Sequence, residues 1–392
     1  MTNDRISQIA QTAVGWRHHL HRCPEPGYAE HETADFIAQT LISFGLTPSR
    51  GLAGTGVVAE ISGSHAGPVT ALRCEMDALP IQEVADLPHA SRNGGFMHAC
   101  GHDGHMAMLL GLAQSLAEDR TFPGKVVLIF QPAEETGGGA LRMIDEGLLQ
   151  AHPFDRVFSI HNLPGEPAGA ILTRSGPIMA AATVWDLTIR GKGSHAGWPH
   201  LGIDAISIAA DFVQGCQAIV ARRTDPVAGA TLSPTRISGG NTYNTLPEEV
   251  HIGGTLRALD DGVSDAIIAR MRALAAGLAL SADCRLDFRV TPGYPVTVNH
   301  PSVLADVMRA ARAVAGDNVS DSVSPKMGTE DFAYMLREKP GAYIFLGAGD
   351  IPALHANLYD FNDAILEPGI RLMAALIRTA SMQDTDSLHP AA

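Results

Sequence analysis

Thr183-Val184-Trp185-Asp186-Leu187-Thr188-Ile189 alternates in polarity residue by residue, as a strand buried on one face does. Before it the pattern is different. Val57-Val58-Ala59-Glu60-Ile61 and Val69-Thr70-Ala71-Leu72-Arg73 are short apolar runs bounded by Gly and Pro, which reads as buried strands, and Lys125 to Phe130 and Arg156 to Ile160 read as strands too. Helical spacing runs through residues 3–21 (Ile6, Ile9, Ala10, Ala13, Trp16, Leu20) and through Glu30 to Phe44, ending at Gly45. His105 to Ala117 and Ala140 to Glu146 are further helices, the second stopped by Gly147. Alternating strands and helices predict an α/β layer on a largely parallel sheet. After Thr183–Ile189 the order becomes helix 203–221, strand 231–238, strand 248–257, helix 261–280 and strand 284–291, a ferredoxin-like βαββαβ unit. Beyond Pro295 the first pattern resumes, with helices 301–315 and 330–337, strand 342–346 and helix 362–381. The expected organisation is a domain of residues 182–295 inserted into one built from 1–181 and 296–392. The tail after Met382 is expected to be disordered.

The length of 392 residues suits two domains. The charge of -14 (28 basic against 42 acidic residues) works against nucleic-acid binding, which needs a basic face. The N-terminal residues lack the apolar core of a signal peptide. The longest apolar runs, Met106 to Ala113 and Val126 to Phe130, are too short to span a bilayer. A cytoplasmic protein without membrane partners is expected. The five cysteines (Cys23, Cys74, Cys100, Cys216, Cys284) are odd in number and lack paired spacing, so they do not read as a disulfide framework.

Chemistry concentrates in five places. His98-Ala99-Cys100-Gly101-His102-Asp103-Gly104-His105 holds four Cys or His in eight residues. In an extended segment Cys100 and His102 point to the same side, and thiolate with imidazole suits zinc and similar metals. The pair alone fits a buried thiol beside a structural histidine equally well. Gly101 and Gly104 are expected to let the backbone turn tightly. Glu134-Glu135 follow the strand ending at Phe130, where function in open α/β sheets tends to sit. A solvated acidic loop is the plainer alternative. His161-Asn162 follow the strand ending at Ile160, and His355 lies beyond Leu346-Gly347-Ala348-Gly349. Together Cys100, His102, Glu135, His161 and His355 make a set for two metal ions, leaving Glu134 as a free carboxylate beside them. Two ions sharing a water lower its pKa and polarise a carbonyl, and a free Glu can move the proton. The inserted unit carries Gly191-Lys192-Gly193-Ser194-His195, Asn241-Thr242-Tyr243-Asn244 and Arg257. Displayed from one lid, His195, Asn244 and Arg257 would meet an oxyanion and a carboxylate; by composition alone they are ordinary loop residues.

These motifs resemble the M20 metallopeptidase family, in its amidohydrolase branch of hippurate, N-acyl-amino-acid and auxin-conjugate hydrolases. The likeness runs from Arg17 to Leu372. It is carried by MDALP (Met76 to Pro80), HACGHDGH (His98 to His105), FQPAEE (Phe130 to Glu135), GKGSHAGWPHLGIDAI (Gly191 to Ile206), GGNTYNTLPEEV (Gly239 to Val250), GTLR (Gly254 to Arg257), GTEDFAYM (Gly328 to Met335) and FLGAG (Phe345 to Gly349). The resemblance implies an M20-type catalytic α/β domain with a lid that also dimerises, and a dinuclear site liganded by Cys100, His102, Glu135, His161 and His355. It implies Glu134 as general base and acid, Asp77 orienting the site, and His195 on the oxyanion, in some relatives across the dimer. Asn244 and Arg257 would meet the substrate carboxylate. His98 and His105 take supporting roles. The chain departs from the family pattern at Cys74-Glu75, where Ala-Asp is usual, and at Ala356-Asn357 after His355.

The expected activity is hydrolysis of N-acyl amino acids to a carboxylic acid and an amino acid. The alternatives are a dipeptidase or carboxypeptidase of the same superfamily, and a non-catalytic metal-bound binding protein. Zinc suits the thiolate, while manganese, cobalt and nickel are also accepted by carboxylate and imidazole. A metal-free thiolate at Cys100 is expected to be open to oxidation.

Overall fold

In a computed structural model, which describes residues 3–379, the apolar runs become strands of one eight-stranded sheet. Its order is Ser49–Leu52, Gly56–Ser62, Pro123–Gln131, His65–Glu75, Arg156–Pro164, Gly341–Gly349, Ile171–Leu172 and Val319–Ser320. The four strands from Pro123–Gln131 to Gly341–Gly349 are mutually parallel. Towards the edges the pairing reverses, so the sheet is mixed where a largely parallel one was expected. At the Ser49–Leu52 edge the reason is loop length. Ala53-Gly54-Thr55 is a tight link between Ser49–Leu52 and Gly56–Ser62, and a link that short joins only antiparallel neighbours.

The helix His102–Glu118 is buried on nearly every face, which its apolar composition on all sides requires. Asn3–Arg22 and Leu366–Arg378 pack against it, and Ile9, Leu109, Leu346 and Ile370 share the core it anchors. It starts three residues before the expected His105. The expected helix 330–337 is Ala333–Glu338, and the expected 362–381 is a 3-10 turn at Asp363–Ile365 followed by Leu366–Arg378. The tail after Met382 lies outside the described residues.

The described residues fall into two units, one drawn from Met1–Gly176, Val298–Ser324 and Asp331–Ala392, the other from Pro177–Thr297 and Pro325–Glu330. The second unit holds a four-stranded sheet in the order Ala230–Gly239, Glu249–Ala258, Ala181–Arg190 and Arg285–Pro292, with every neighbour antiparallel. With helices Ala205–Arg223 and Asp261–Ala282 this is the βαββαβ unit. Trp185, Leu187 and Ile189 face the helices and pack with Phe212, Cys216, Ile267 and Met271. Asp204 and Asp260 cap the two helices, accepting from Ile206 and Val263 N–H groups. Among the described residues no helix is long and apolar enough to cross a membrane.

Candidate active site

Four parallel strands deliver chemistry at one end of the large sheet, because parallel strands share a direction. Glu75 and Gln131 are neighbours at the ends of their strands. His161 lies within Arg156–Pro164 rather than past its end, paired with Phe345. Glu134 and Glu135 follow Gln131, and His355 follows Gly349. Cys100 and His102 do converge, though not on an extended segment. Gly101 is left-handed (φ 91°) and His102 opens the helix, so a turn swings the two side chains together. A Cβ at Gly101 would sit 2.3 Å from Asn162 Oδ1. Gly104 serves close packing rather than a turn: it is helical, and a Cβ there would lie 2.3 Å from the Phe361 ring.

The donor atoms of Cys100, His102 and His161 lie within 4.8 Å of one another, as do those of Cys100, Glu135 and His355, and those of His102, Glu134 and Glu135. The three sets overlap, so the structure brings all six residues together. Cys100 Sγ is 3.4 Å from His161 Nε2. Glu134 is 6% exposed, which rules out the solvated acidic loop. His355 is the outermost member, with a side chain 52% exposed and a left-handed backbone (φ 65°). Its N–H donates to Ala99 O at 2.8 Å and ties its loop to the Cys100 segment.

The hydrogen bonds fix which atoms remain for a metal. His102 Nδ1 donates to the Asp77 carbonyl at 2.8 Å, so Nε2 is the nitrogen that the neutral ring would offer to a metal. That Nε2 is buried without a hydrogen-bond partner among the described residues. His161 Nδ1 donates to Asn162 O at 2.8 Å, turning its Nε2 lone pair to Cys100. Glu135 Oε1 lies 3.4 Å from His355 Nε2, an ion-pair distance, yet it is buried and makes no hydrogen bond among the described residues. Orphaned buried acceptors of this kind call for an explanation, and thiol, imidazole and carboxylate are the donors that suit zinc-like divalent ions.

The electrostatics of the metal-free site divide the donors: His161 is neutral, whereas His102 and Cys100 hold protons that a bound metal would displace. Burial favours the neutral form of His161, and His105 adds to this, holding it down to about 3. Burial also works against a charged His102, but Asp77, Glu75 and Glu135 outweigh it and raise it to about 10. Burial, with Glu135 and Glu134, pushes the Cys100 thiol well above its usual range. Without a metal Cys100 is therefore a protonated, enclosed thiol, not the oxidation-prone thiolate expected from the sequence.

Behind the donors stands a buried frame. Arg73 pairs with Glu75, with Asp331 Oδ1 at 2.7 Å and with Gln131 Oε1 at 2.6 Å. His105 Nδ1 donates to Glu75 Oε2 at 2.8 Å, and its Nε2 lies 2.7 Å from Asn162 Oδ1. Burial alone would raise the Glu75 carboxyl, but Arg73 and His105 hold it well below the ordinary range. The unusual Glu75 thus has a structural reason: its carboxylate spans both partners. His98 is buried with neither ring nitrogen hydrogen-bonded among the described residues, and burial lowers it to about 3.

In the second unit, His195 lies on the short strand Ser194–His195, paired with Thr245–Leu246. Its Nδ1 accepts the Gly197 N–H at 3.0 Å, which leaves Nε2–H as an outward donor in the neutral ring. The Ala196 N–H donates to Asn244 O at 2.9 Å, so His195 and Asn244 are neighbours. Arg257 is elsewhere. Gly191, which leads to the His195 segment, bonds Glu248 at one end of Glu249–Ala258, whereas Arg257 is near the other. Eight residues of strand separate the ends, roughly 26 Å. The second unit therefore does not display these three residues side by side, contrary to expectation. Arg257 Nη1 is buried without a hydrogen-bond partner among the described residues.

Residues 71–379 match the model of peptidase family M20/M25/M40. The chain belongs to this family. An N-acetyl-L-cysteine deacetylase of Bacillus subtilis is 38% identical over 343 residues, 87% of this chain and 82% of that protein. A thermostable carboxypeptidase 2 of Saccharolobus solfataricus is 36% identical over 387 residues, 96% of this chain and 97% of that one. The crystal structure of the Bacillus subtilis YXEP protein, a dinuclear metal binding peptidase from the M20 family, superposes with a TM-score of 0.83 at 31% identity, covering 95% and 98% of the two chains. The M20 chain is thus a hydrolase acting on amide bonds, with the mixed α/β fold of the family.

The sequence of this M20 protein hid several of the groups just described. Arg73 and Glu30 belong to no local pattern of ligands, and Gln131 and Asp331, although inside the quoted FQPAEE and GTEDFAYM segments, show their part only through partners far along the chain. Tyr359, whose hydroxyl accepts from Asn162 Nδ2 at 2.8 Å, gave no signal either.

Proposed function

We propose that the chain hydrolyses the amide bond of N-acyl amino acids, releasing a carboxylic acid and a free amino acid, with two divalent ions held by Cys100, His102, Glu135, His161 and His355. One observation carries the reading: His102 Nε2 and Glu135 Oε1, buried and without a hydrogen-bond partner among the described residues, sit among further thiol and imidazole donors, with a second carboxylate, Glu134, alongside. When bound, the ions would polarise the scissile carbonyl and acidify a water. Zinc fits the thiolate, and manganese, cobalt or nickel fit the remaining donors.

The chain supplies the rest. Glu134 takes the proton of the attacking water and passes it to the leaving amine. Asp77 keeps the His102 ring and the Glu135 backbone in place. His195 Nε2–H donates to the developing oxyanion, and Arg257 with Asn244 receives the substrate carboxylate. Because His195 and Arg257 lie at opposite ends of one lid, we assign His195 and Asn244 to the neighbouring copy in a homodimer or larger assembly. The five unpaired cysteines suit a reducing, cytoplasmic setting.

The likeness to a carboxypeptidase favours a second reading, cleavage of a C-terminal amino acid from a peptide. A panel separates them: metal-free protein is reloaded with zinc, manganese, cobalt or nickel and assayed on N-acetyl amino acids, N-benzoyl amino acids and dipeptides. The proposal expects the N-acyl amino acids to turn over fastest. Faster dipeptide cleavage replaces it with the second reading. Inactivity on every amide with metal bound returns the chain to a binding role.

A further inference from the structure

Ala133, the residue before Glu134, has φ 53°, a left-handed conformation that a non-glycine residue keeps only where its surroundings over-determine it. Three nearly consecutive residues of a distant segment do this. A Cβ on Gly27 would lie 3.0 Å from Ala133 Cα, so the two backbones are packed as closely as glycine allows. Tyr28 OH donates to Gly137 O at 2.6 Å. Glu30 Oε1 accepts the Ala133 N–H at 2.9 Å, and Glu30 Oε2 accepts the Thr55 hydroxyl at 2.6 Å. The loop that carries Glu134 and Glu135 is thus gripped at both ends, at Ala133 and at Gly137.

Glu30 is the notable member. It is 0% exposed, and burial raises its carboxyl above the ordinary range. It occupies the N-cap position of the helix His31–Ser43, yet its side chain makes no capping bond there. Both oxygens are turned instead to Ala133 and Thr55. A buried carboxylate that forgoes the cap beside it is spent on holding the loop.

We infer that Glu30 is a positioning residue for the hydrolysis: it fixes the backbone of Ala133 and thereby aims the carboxylate of Glu134. This rests on the role proposed above for Glu134. Three variants test it: Glu30→Ala, Glu30→Gln and Thr55→Val. Gln keeps an acceptor for the Ala133 N–H and a donor for the Thr55 oxygen. Each variant, loaded with metal, is assayed on N-benzoylglycine, its metal content is measured, and exchange of the Ala133 to Gly139 amides is followed by hydrogen–deuterium exchange.

Glu30→Ala is expected to lower kcat by about 100-fold, the scale of a misplaced catalytic group. KM and metal content stay near those of the unaltered enzyme, the Ala133 amide exchanges faster, and Glu30→Gln restores most of the loss. A kcat within twofold of the unaltered enzyme, a fall that tracks metal loss, or equal damage from Gln and Ala overturns the inference. Should Glu30→Ala not fold, Thr55→Val decides: a several-fold lower kcat with faster exchange at Ala133 supports it, and no change in either overturns it. If the unaltered enzyme does not hydrolyse N-acyl amino acids, that reading fails by itself. The exchange rates of Ala133 still settle whether Glu30 holds the loop.

Discussion

Asp77 Oδ2 accepts the backbone N–H of Glu135 at 2.9 Å. The backbone carbonyl of the same Asp77 accepts from His102 Nδ1. One residue thus orients two proposed ligands from different segments. Asp77→Ala should weaken metal affinity by about 10–100-fold, the usual effect of removing such a support. Competition with a chromophoric chelator measures it. Unchanged affinity would remove Asp77 from the site.

Glu134 is not needed to hold the ions in the proposed scheme. Glu134→Ala should lower kcat by about 10²–10⁴-fold, the range of general acid–base catalysis. Metal content should remain near that of the unaltered protein, as read by elemental analysis. Substantial residual turnover would sink the assignment.

Sharing of residues between copies has a simple signature. His195→Ala and Glu134→Ala are each expected to be inactive. Unfolded together and refolded at equal amounts, they should recover roughly a quarter of the unaltered activity, because half of the dimers are mixed and each has one complete site. Failure to recover any activity, with mixed dimers verified by mass spectrometry, would place His195 in its own chain's site.

A second buried network predicts a pH response. His21 Nδ1 lies 2.8 Å from Asp103 Oδ2, and Arg17 Nε reaches the same oxygen at 2.9 Å. Burial lowers the basicity of His21, but Asp103 and Glu83 outweigh it and raise it from 6.5 to about 9. A histidine raised on folding stabilises fully below its unfolded value and loses that contribution as pH rises through the folded one. The Tm should therefore fall between pH 6.5 and 9, and His21→Gln should flatten that decline. The same slope in both proteins would acquit His21. The Asp103 carboxyl is held far below its usual range by Arg17 and His21 against the penalty of burial. Its contribution is present above the ordinary carboxylate range and disappears only in acid.

Thiol labelling checks the state of Cys100. In chelator-treated protein at neutral pH, iodoacetamide should modify the partly exposed Cys23 and Cys284 before the buried Cys100. Cys100 labelled first would mean that the metal-free site opens.

The sequence made the strands legible because Val126 to Phe130 and Arg156 to Ile160 are apolar enough to be read without context. It made the donors legible because strand ends are where parallel sheets display side chains. It offered a tight turn at Gly101 and an extended Cys100-x-His102 pair together, and only the turn is found, since two residues spaced by one read the same in a strand and in a left-handed corner. Nor did it reveal that Arg257 and His195 are far apart, which depends on the registry of Glu249–Ala258 with Ala181–Arg190. Glu30 and the Arg73–Asp331 pair escaped for another reason. A single acidic residue has no periodicity, and the partner that gives it meaning here is more than a hundred positions away.

The strand Gly341–Gly349 lies between Arg156–Pro164 and Ile171–Leu172, although nearly half of the chain separates it from both. During synthesis the edge of Arg156–Pro164 must wait, unpaired and apolar, until residues 177–297 have emerged and the late strand arrives. Such an edge is a template for misassembly between nascent chains. The last donor, His355, comes just after that strand, so the proposed metal centre cannot form on the ribosome before the sheet is nearly closed. Metal acquisition is therefore expected as a late event in the birth of the protein, and shortage of metal should leave a folded, empty enzyme rather than an arrested intermediate.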